Sequence, residues 1–305
     1  MATFQQLITD GKAAATDGAW SSAASQFEAA YQLKQSYELN QQLVTALMHT
    51  KKYTQASTLA LEYEETYLAT DATADVLVTS LLQSQQFIQA RLSAQLRSSA
   101  PAWLTATQAK ILTAEKQAEA TTQQTLIITM KQFYHLSDLQ VIAQTERLHA
   151  AKRLTLSKYL TAAKFLLIDP FLHQLSRVEV LYTLRGLGVC EPVEFETLDQ
   201  AKITVVPVEL PPMGADSISE TLQAELQQRL ANQDVTLYES LQRSLSLELM
   251  YLYPHPERIV TNSQEWLTGL VTSQTGQQSP KVTVSTQKMF AMQQKIQQLN
   301  FEFAQ

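Results

Sequence analysis

The chain has 305 residues, 45% hydrophobic and only 17% charged, with 7 glycines, 9 prolines and a formal net charge of −6. That is enough apolar material for two cores or one elongated array, and it excludes a low-complexity or collagen-like chain. The acidic balance disfavours nucleic acid or anionic lipid as the main partner, because both require a positive field.

The amino end, "MATFQQLITDGKAAA", lacks a charged region followed by an apolar one, so no secretory leader is expected. "DGAWSSAASQFEAAY" (17–31) then introduces a phrase that returns as "TKKYTQASTLALEY" (50–63) and "SQQFIQARLSAQLR" (84–97). In each, an aromatic residue is followed three positions later by alanine: Trp20/Ala23, Tyr53/Ala56 and Phe87/Ala90. Four further on come Phe27, Ala60 and Ala94. The aromatics recur at 33 and 34 residues, a period typical of stacked helix–turn–helix units. Alanine at a crossing point lets two helix backbones approach, and the aromatic fills the wedge beside it. Leu7, Leu43 and Leu77 supply the apolar contacts of the first helices, Gly11 and Gly18 occur in the first unit alone, and Pro101 closes the third.

On the pattern Gly11, Gly18, Trp20, Ala23, Phe27, Ala30, residues 4–104 resemble three tetratricopeptide repeats, the second and third keeping the aromatic and alanine but not the glycines. The resemblance implies an α-solenoid whose first helices line a concave groove that holds a protein or peptide. Groove positions are then Gln5, Ile8 and Lys12, followed by Gln41, Thr45 and His49, and by Asp75 and Thr79. A clamp for a carboxylate terminus, known from co-chaperone members of that family, does not fit. Only Lys12 and His49 are cationic candidates there, and Glu38 and Asp75 oppose an acidic tail.

Further along, "WLTATQAKILTAEKQ" and "TTQQTLIITMKQFYH" read as an antiparallel helix pair. "SDLQVIAQTERLHAAK" is expected to start from Ser137 as N-cap, with Leu139, Ile142, Ala143 and Leu148 on one face. "TLSKYLTAAKFLLID" stops before Pro170, and "LHQLSRVEVLYTLRGLGV" ends at Gly186 or Gly188. The period then changes to two, and "PVEFETLDQAKITVVPVEL" (192–210) reads as a hairpin. "PPMGADS" (211–217) is expected as a flexible junction, and "QTGQQSPK" as a loop between the last two of four amphipathic helices. The whole layout resembles uncharacterised tetratricopeptide-containing proteins of Gram-positive bacteria, a group that brings no activity with it. The expected fold is mainly α: a repeat domain at 1–135, then a helical module at 136–305 with a β-hairpin near 192–208.

Chemistry has little support in this chain. The five histidines share no metal-binding spacing, and one cysteine rules out the common structural zinc sites, so no metal and no cofactor is expected. Cys190 reads as a small buried residue, and its solitude points to a reducing compartment, the cytoplasm. "LIITM" and "KFLLI" fall far short of the roughly 18–20 residues of a membrane span. Phosphate-cradling glycine loops and nucleophile elbows are absent. Glu194 and Glu196 share a strand face and read as solvated. The expected function is therefore a non-enzymatic scaffold. The alternative is a winged-helix-like nucleic-acid-binding regulator, from helices 154–168 and 172–187 followed by the hairpin. Its second helix would offer Arg177 and Arg185, while Arg147, Lys152, Arg153 and Lys158 form a nearby basic cluster. Its wing is acidic, with Glu191, Glu194, Glu196 and Asp199 against Lys202.

Overall fold

The computed structural model describes residues 3–231, 234–275 and 286–303. Most of the loop expected over "QTGQQSPK" lies outside them. Among the described residues are sixteen α-helices and one two-stranded antiparallel sheet, the mainly α fold with a hairpin that the periodicity predicts. None of these helices is long and apolar enough to cross a membrane. The chain divides into two compact units, 1–130 with 150–159, and 131–149 with 160–305. A single cut at 135 does not describe this arrangement, because ten residues return to the first unit.

Unit 1 opens with helix pairs α1 (Phe4–Thr16) and α2 (Trp20–Leu33), α3 (Tyr37–His49) and α4 (Tyr53–Leu61), and α6 (Asp71–Gln83) and α7 (Phe87–Leu96). A one-turn helix, α5 (Glu64–Tyr67), interrupts the second and third pairs. The three first helices are each 13 residues long. Each starts from a hydroxyl N-cap, Thr3, Ser36 or Thr70, whose side chain accepts from the backbone N–H three residues on. Each also ends alike. The residue two before the aromatic has positive φ, at Gly18 (72°), Lys51 (59°) and Gln85 (58°). The next N–H reaches back five residues, Ala19 to Ala14, Lys52 to Leu47 and Gln86 to Leu81, closing a left-handed helix cap. The turn geometry thus persists where the glycine does not.

The interior follows the predicted stripe. Ala23, Ala56, Ala90, Phe27, Ala60 and Ala94 are all buried, as are Leu7, Leu43 and Leu77. A Cβ on Gly11 would sit 2.6 Å from the Phe27 ring, so the missing side chain admits that ring between α1 and α2. Phe87 is buried, and Trp20 is half-buried against the core. Each fully buried leucine or phenylalanine contributes about 1.5–3 kcal/mol.

Pro101 occupies the first position of α8 (Pro101–Thr121), where its missing N–H costs nothing. α8 packs on α6 and α7. It does not form the expected antiparallel pair with α9 (Gln123–Tyr134): only Thr122 separates the two, too little chain for a helical hairpin. Residues 150–159 are tied into unit 1 by Ile88 N–H to Lys152 O (3.0 Å), Leu156 N–H to Glu115 Oε1 (3.0 Å) and Thr155 Oγ1 to Glu119 (2.9 Å). Glu115 is also bonded at both oxygens by Arg91, at 2.9 and 2.6 Å.

α10 (Val141–Ala151) begins later than expected. Ser137 lies in a 3-10 turn, and Gln140 is the residue whose carbonyl receives the first helical bond, from Gln144. Its buried positions are Gln144, Leu148 and Ala151, whereas Ile142 is exposed. α11 (Leu156–Leu166) and α12 (Gln174–Gly186) follow, the latter ended by Gly188 at φ 72°. Strands β1 (Val193–Glu196) and β2 (Lys202–Val205) pair with Val193 opposite Val205. Val193, Phe195 and Val205 face inward. Cys190 is exposed rather than buried, since it lies on the connection leading into β1.

The rest of unit 2 is a helical bundle of α13 (Ser217–Leu230), α14 (Val235–Leu252), α15 (Ser263–Thr275) and α16 (Gln287–Phe303). Its core runs along Leu222/Leu226, Leu241/Leu245/Leu249 and Trp266/Leu270, the i,i+4 spacing of one helix face, and closes on Ile296. "PPMGADS" is not a junction between units. Arg185 Nε donates to Leu210 O (2.7 Å) and Tyr253 Oη to Pro211 O (3.0 Å), pinning the segment inside unit 2.

Candidate functional site

The repeat offsets put Ile8, Gln41 and Asp75 at one helical position, Lys12, Thr45 and Thr79 at the next, and His49 with Gln83 at a third. All are exposed or half-buried, and Ile8, next to the buried Leu7, packs partly against the core. Spacing of four residues keeps each set on one face. Thr45, His49, Asp75 and Thr79 come together with Met48 and Val76 around a depression of about 260 Å³ between α3 and α6. Gln5, Ile8 and Lys12 on α1, and Gln41 on α3, do not line it.

A second depression of about 280 Å³ begins at the same Thr79 and continues between α6 and α8. Leu82, Gln83, Phe87, Gln117 and Thr121 are among its walls. The wall from α8 was missed in the sequence, although Ala114, Gln117, Ala118 and Thr121 follow the i,i+3,i+4,i+7 spacing of one face. The two depressions share Thr79 and are together referred to as the trough.

Its charges are already matched. Asp75 accepts from Trp103 Nε1 (3.0 Å) and Lys110 Nζ (3.1 Å), so its carboxylate is compensated by α8. His49 stacks on Trp20 with ring centroids 3.8 Å apart and planes 8° from parallel. The Thr45 hydroxyl donates to Gln41 O (2.7 Å). The second depression is lined by no ionisable side chain. Apart from His49 and the paired Asp75, the trough is lined by hydroxyls, carboxamides and apolar side chains.

The hairpin module differs from its sequence reading. Arg177 is buried on α12, not displayed. Its Nη1 donates to Gln174 Oε1 (2.6 Å) and Glu196 O (3.0 Å), and its Nη2 to Asp169 O (2.6 Å) and Leu172 O (3.2 Å). Burial lowers its pKa, opposed by the nearby Glu196 and Asp169. Arg185 is turned to Leu210 O. Glu196 is buried too, unlike the exposed Glu194, so the two do not form a solvated pair. Glu191 is held below the ordinary carboxylate range by its hydrogen bond to Lys164 (2.8 Å). Asp199, despite partial desolvation, is held low by Thr197, Lys288 and Arg258. His173 stands at the α12 N-cap position, edge-on to Tyr251. Among the described residues no three His, Cys, Asp or Glu side chains gather as a metal-holding group.

No protein-family model matches the chain, and no curated protein or solved structure matches it.

Proposed function

We propose that the first three helix pairs are tetratricopeptide repeats and that the chain is a non-enzymatic scaffold in the cytoplasm, holding a segment of another protein along the trough of α3, α6 and α8. The observation that carries this reading is that two neighbouring depressions share Thr79 as a wall, with Asp75 paired to Lys110. A groove of this kind takes an uncharged stretch, whose backbone amides meet Thr and Gln side chains and whose apolar side chains enter beside Met48, Val76 and Leu82. Three 13-residue helices with the same cap and the same turn add support, since repeated units of this kind build extended binding surfaces.

A photo-crosslinking amino acid placed at Thr79, with a control at the exposed Thr58 on α4, tests the reading. The Thr79 probe is expected to capture a discrete protein in cells that the Thr58 probe does not, and Thr79→Arg is expected to abolish its recovery. Identical capture at both positions, or retention by Thr79→Arg, overturns it.

A further inference from the structure

Unit 2 contains a cavity of about 380 Å³ that the trough does not involve. Its walls come from the chain entering α10, the loop before α12 with that helix's first turn, the end of β1 and its turn, and α16. Its many polar lining residues include Gln144, Arg177, Glu196 and Lys295.

Their unused bonding capacity is specific. Gln144 is 2% exposed and donates from Nε2 to Leu139 O (3.0 Å), while its buried Oε1 has no hydrogen-bond partner among the described residues. Arg177 is 4% exposed, with both terminal nitrogens engaged and its buried Nε–H likewise unmatched. Oε1 of Glu196 stands 4.0 Å from Arg177 Nη2, too far for a hydrogen bond. Lys295 Nζ donates to Leu198 O (2.8 Å), which leaves two of its three protons. A buried polar atom without a partner costs about 1–3 kcal/mol, and both such atoms here, Gln144 Oε1 and Arg177 Nε, belong to side chains that line the cavity.

A complement to these groups has a defined character. An acceptor and a carboxylate on one set of groups call for a donor. An Nε–H and an ammonium on the other call for an anionic acceptor. The volume lies within the range of small-molecule sites and accommodates a free amino acid. We propose that this cavity binds a small zwitterion of the amino-acid class, with its carboxylate toward Arg177 Nε and Lys295 and its ammonium toward Glu196 and Gln144 Oε1. The site is independent of the trough and of any protein partner.

Calorimetry and thermal unfolding of the full chain with the free proteinogenic amino acids, each at about 10 mM, test it, since a ligand that binds only the folded state raises the melting temperature. At least one amino acid is expected to bind. Its amine-free and carboxyl-free analogues are each expected to bind at least about tenfold more weakly, the scale of one lost charged hydrogen bond. Glu196→Gln should weaken the amino acid by a similar factor while leaving the amine-free analogue nearly unaffected. Lys295→Met, on a partly exposed side chain, reads the carboxylate arm should Glu196→Gln fail to fold. The absence of any shift across the whole set overturns the proposal. Equal binding of the amine-free analogue, or unchanged affinity in both variants, does so as well.

Discussion

Tyr67 Oη donates to Asn40 Oδ1 at 3.0 Å, joining the one-turn α5 to α3 through the interior of unit 1. Asn40 Nδ2 donates in turn to Leu59 O (2.9 Å) and to Tyr31 Oη (3.2 Å), and Tyr31 donates to Glu62 (2.5 Å). By the repeat offset, Asn40 takes the slot that Leu7 and Ala74 fill in the other two units, so a polar network replaces an apolar contact where α4 gives way to α5. Burial pushes both tyrosine hydroxyls above their usual range, Glu62 adding to the effect at Tyr31, so both stay protonated.

Replacing this asparagine tests the network. Asn40→Leu strands the buried Tyr67 hydroxyl and is expected to cost about 2 kcal/mol, with Tyr67→Phe nearer 1 kcal/mol. Urea unfolding measures both. A midpoint unchanged by Asn40→Leu would show that the slot accepts leucine as the first unit does.

The three repeat turns predict opposite responses to glycine. Lys51→Gly and Gln85→Gly relieve a left-handed backbone and should each stabilise by about 0.5–1 kcal/mol. Gly18→Ala should cost a similar amount. Nothing lies within 4 Å of the added Cβ, so the cost is purely conformational. Thermal melts of the three variants decide the sign.

At Gly11 the reason is steric instead. A Cβ there meets Phe27 ring atoms at 2.6 and 2.7 Å, and the ring is buried. Gly11→Ala is expected to destabilise by about 1–3 kcal/mol, the range for overpacked cores. Pairing it with Phe27→Leu should recover part of that loss, and chemical denaturation of the double variant reads it.

Unit 2 carries a pH-dependent element in Glu248. Burial raises its pKa to about 8, against the lowering effect of bonds from Trp266 Nε1 (2.8 Å) and Gln293. A carboxyl whose folded value exceeds its unfolded value, near 4.5, binds more protons when folded. Its contribution is whole below pH 4.5, declines as the pH rises to about 8, and is flat above. Glu248→Gln retains an acceptor for Trp266 without titrating. The stability of wild type relative to this variant should fall across that window by a few kcal/mol. Parallel denaturation curves at pH 5, 7 and 9 check it, and a constant difference would refute the assignment.

Much of unit 1 was legible in its residues because the signals were local. Trp20, Tyr53 and Phe87 marked the second helices, and alanines three residues on marked the crossings. The hydroxyl caps Thr3, Ser36 and Thr70 were equally available at the same period and went unread. The trough was half legible: Thr45, His49, Asp75 and Thr79 meet in it, while the α8 wall was missed because the repeat phrase ends before that helix.

What the residues alone determined were helix pairs, the hairpin and the apolar stripes. Capping, turn chemistry and a 3.6-residue period act within a few neighbours, so they can be read along the chain. Tertiary structure decided the burial of Arg177 and Glu196, the return of residues 150–159 to unit 1 and the neutralisation of Asp75 by Lys110. A charge is buried only where distant segments supply carbonyls or counter-ions to replace water. At Arg177 those groups are Asp169 O, Leu172 O, Gln174 Oε1 and Glu196 O, and only the folded chain brings them to one guanidinium.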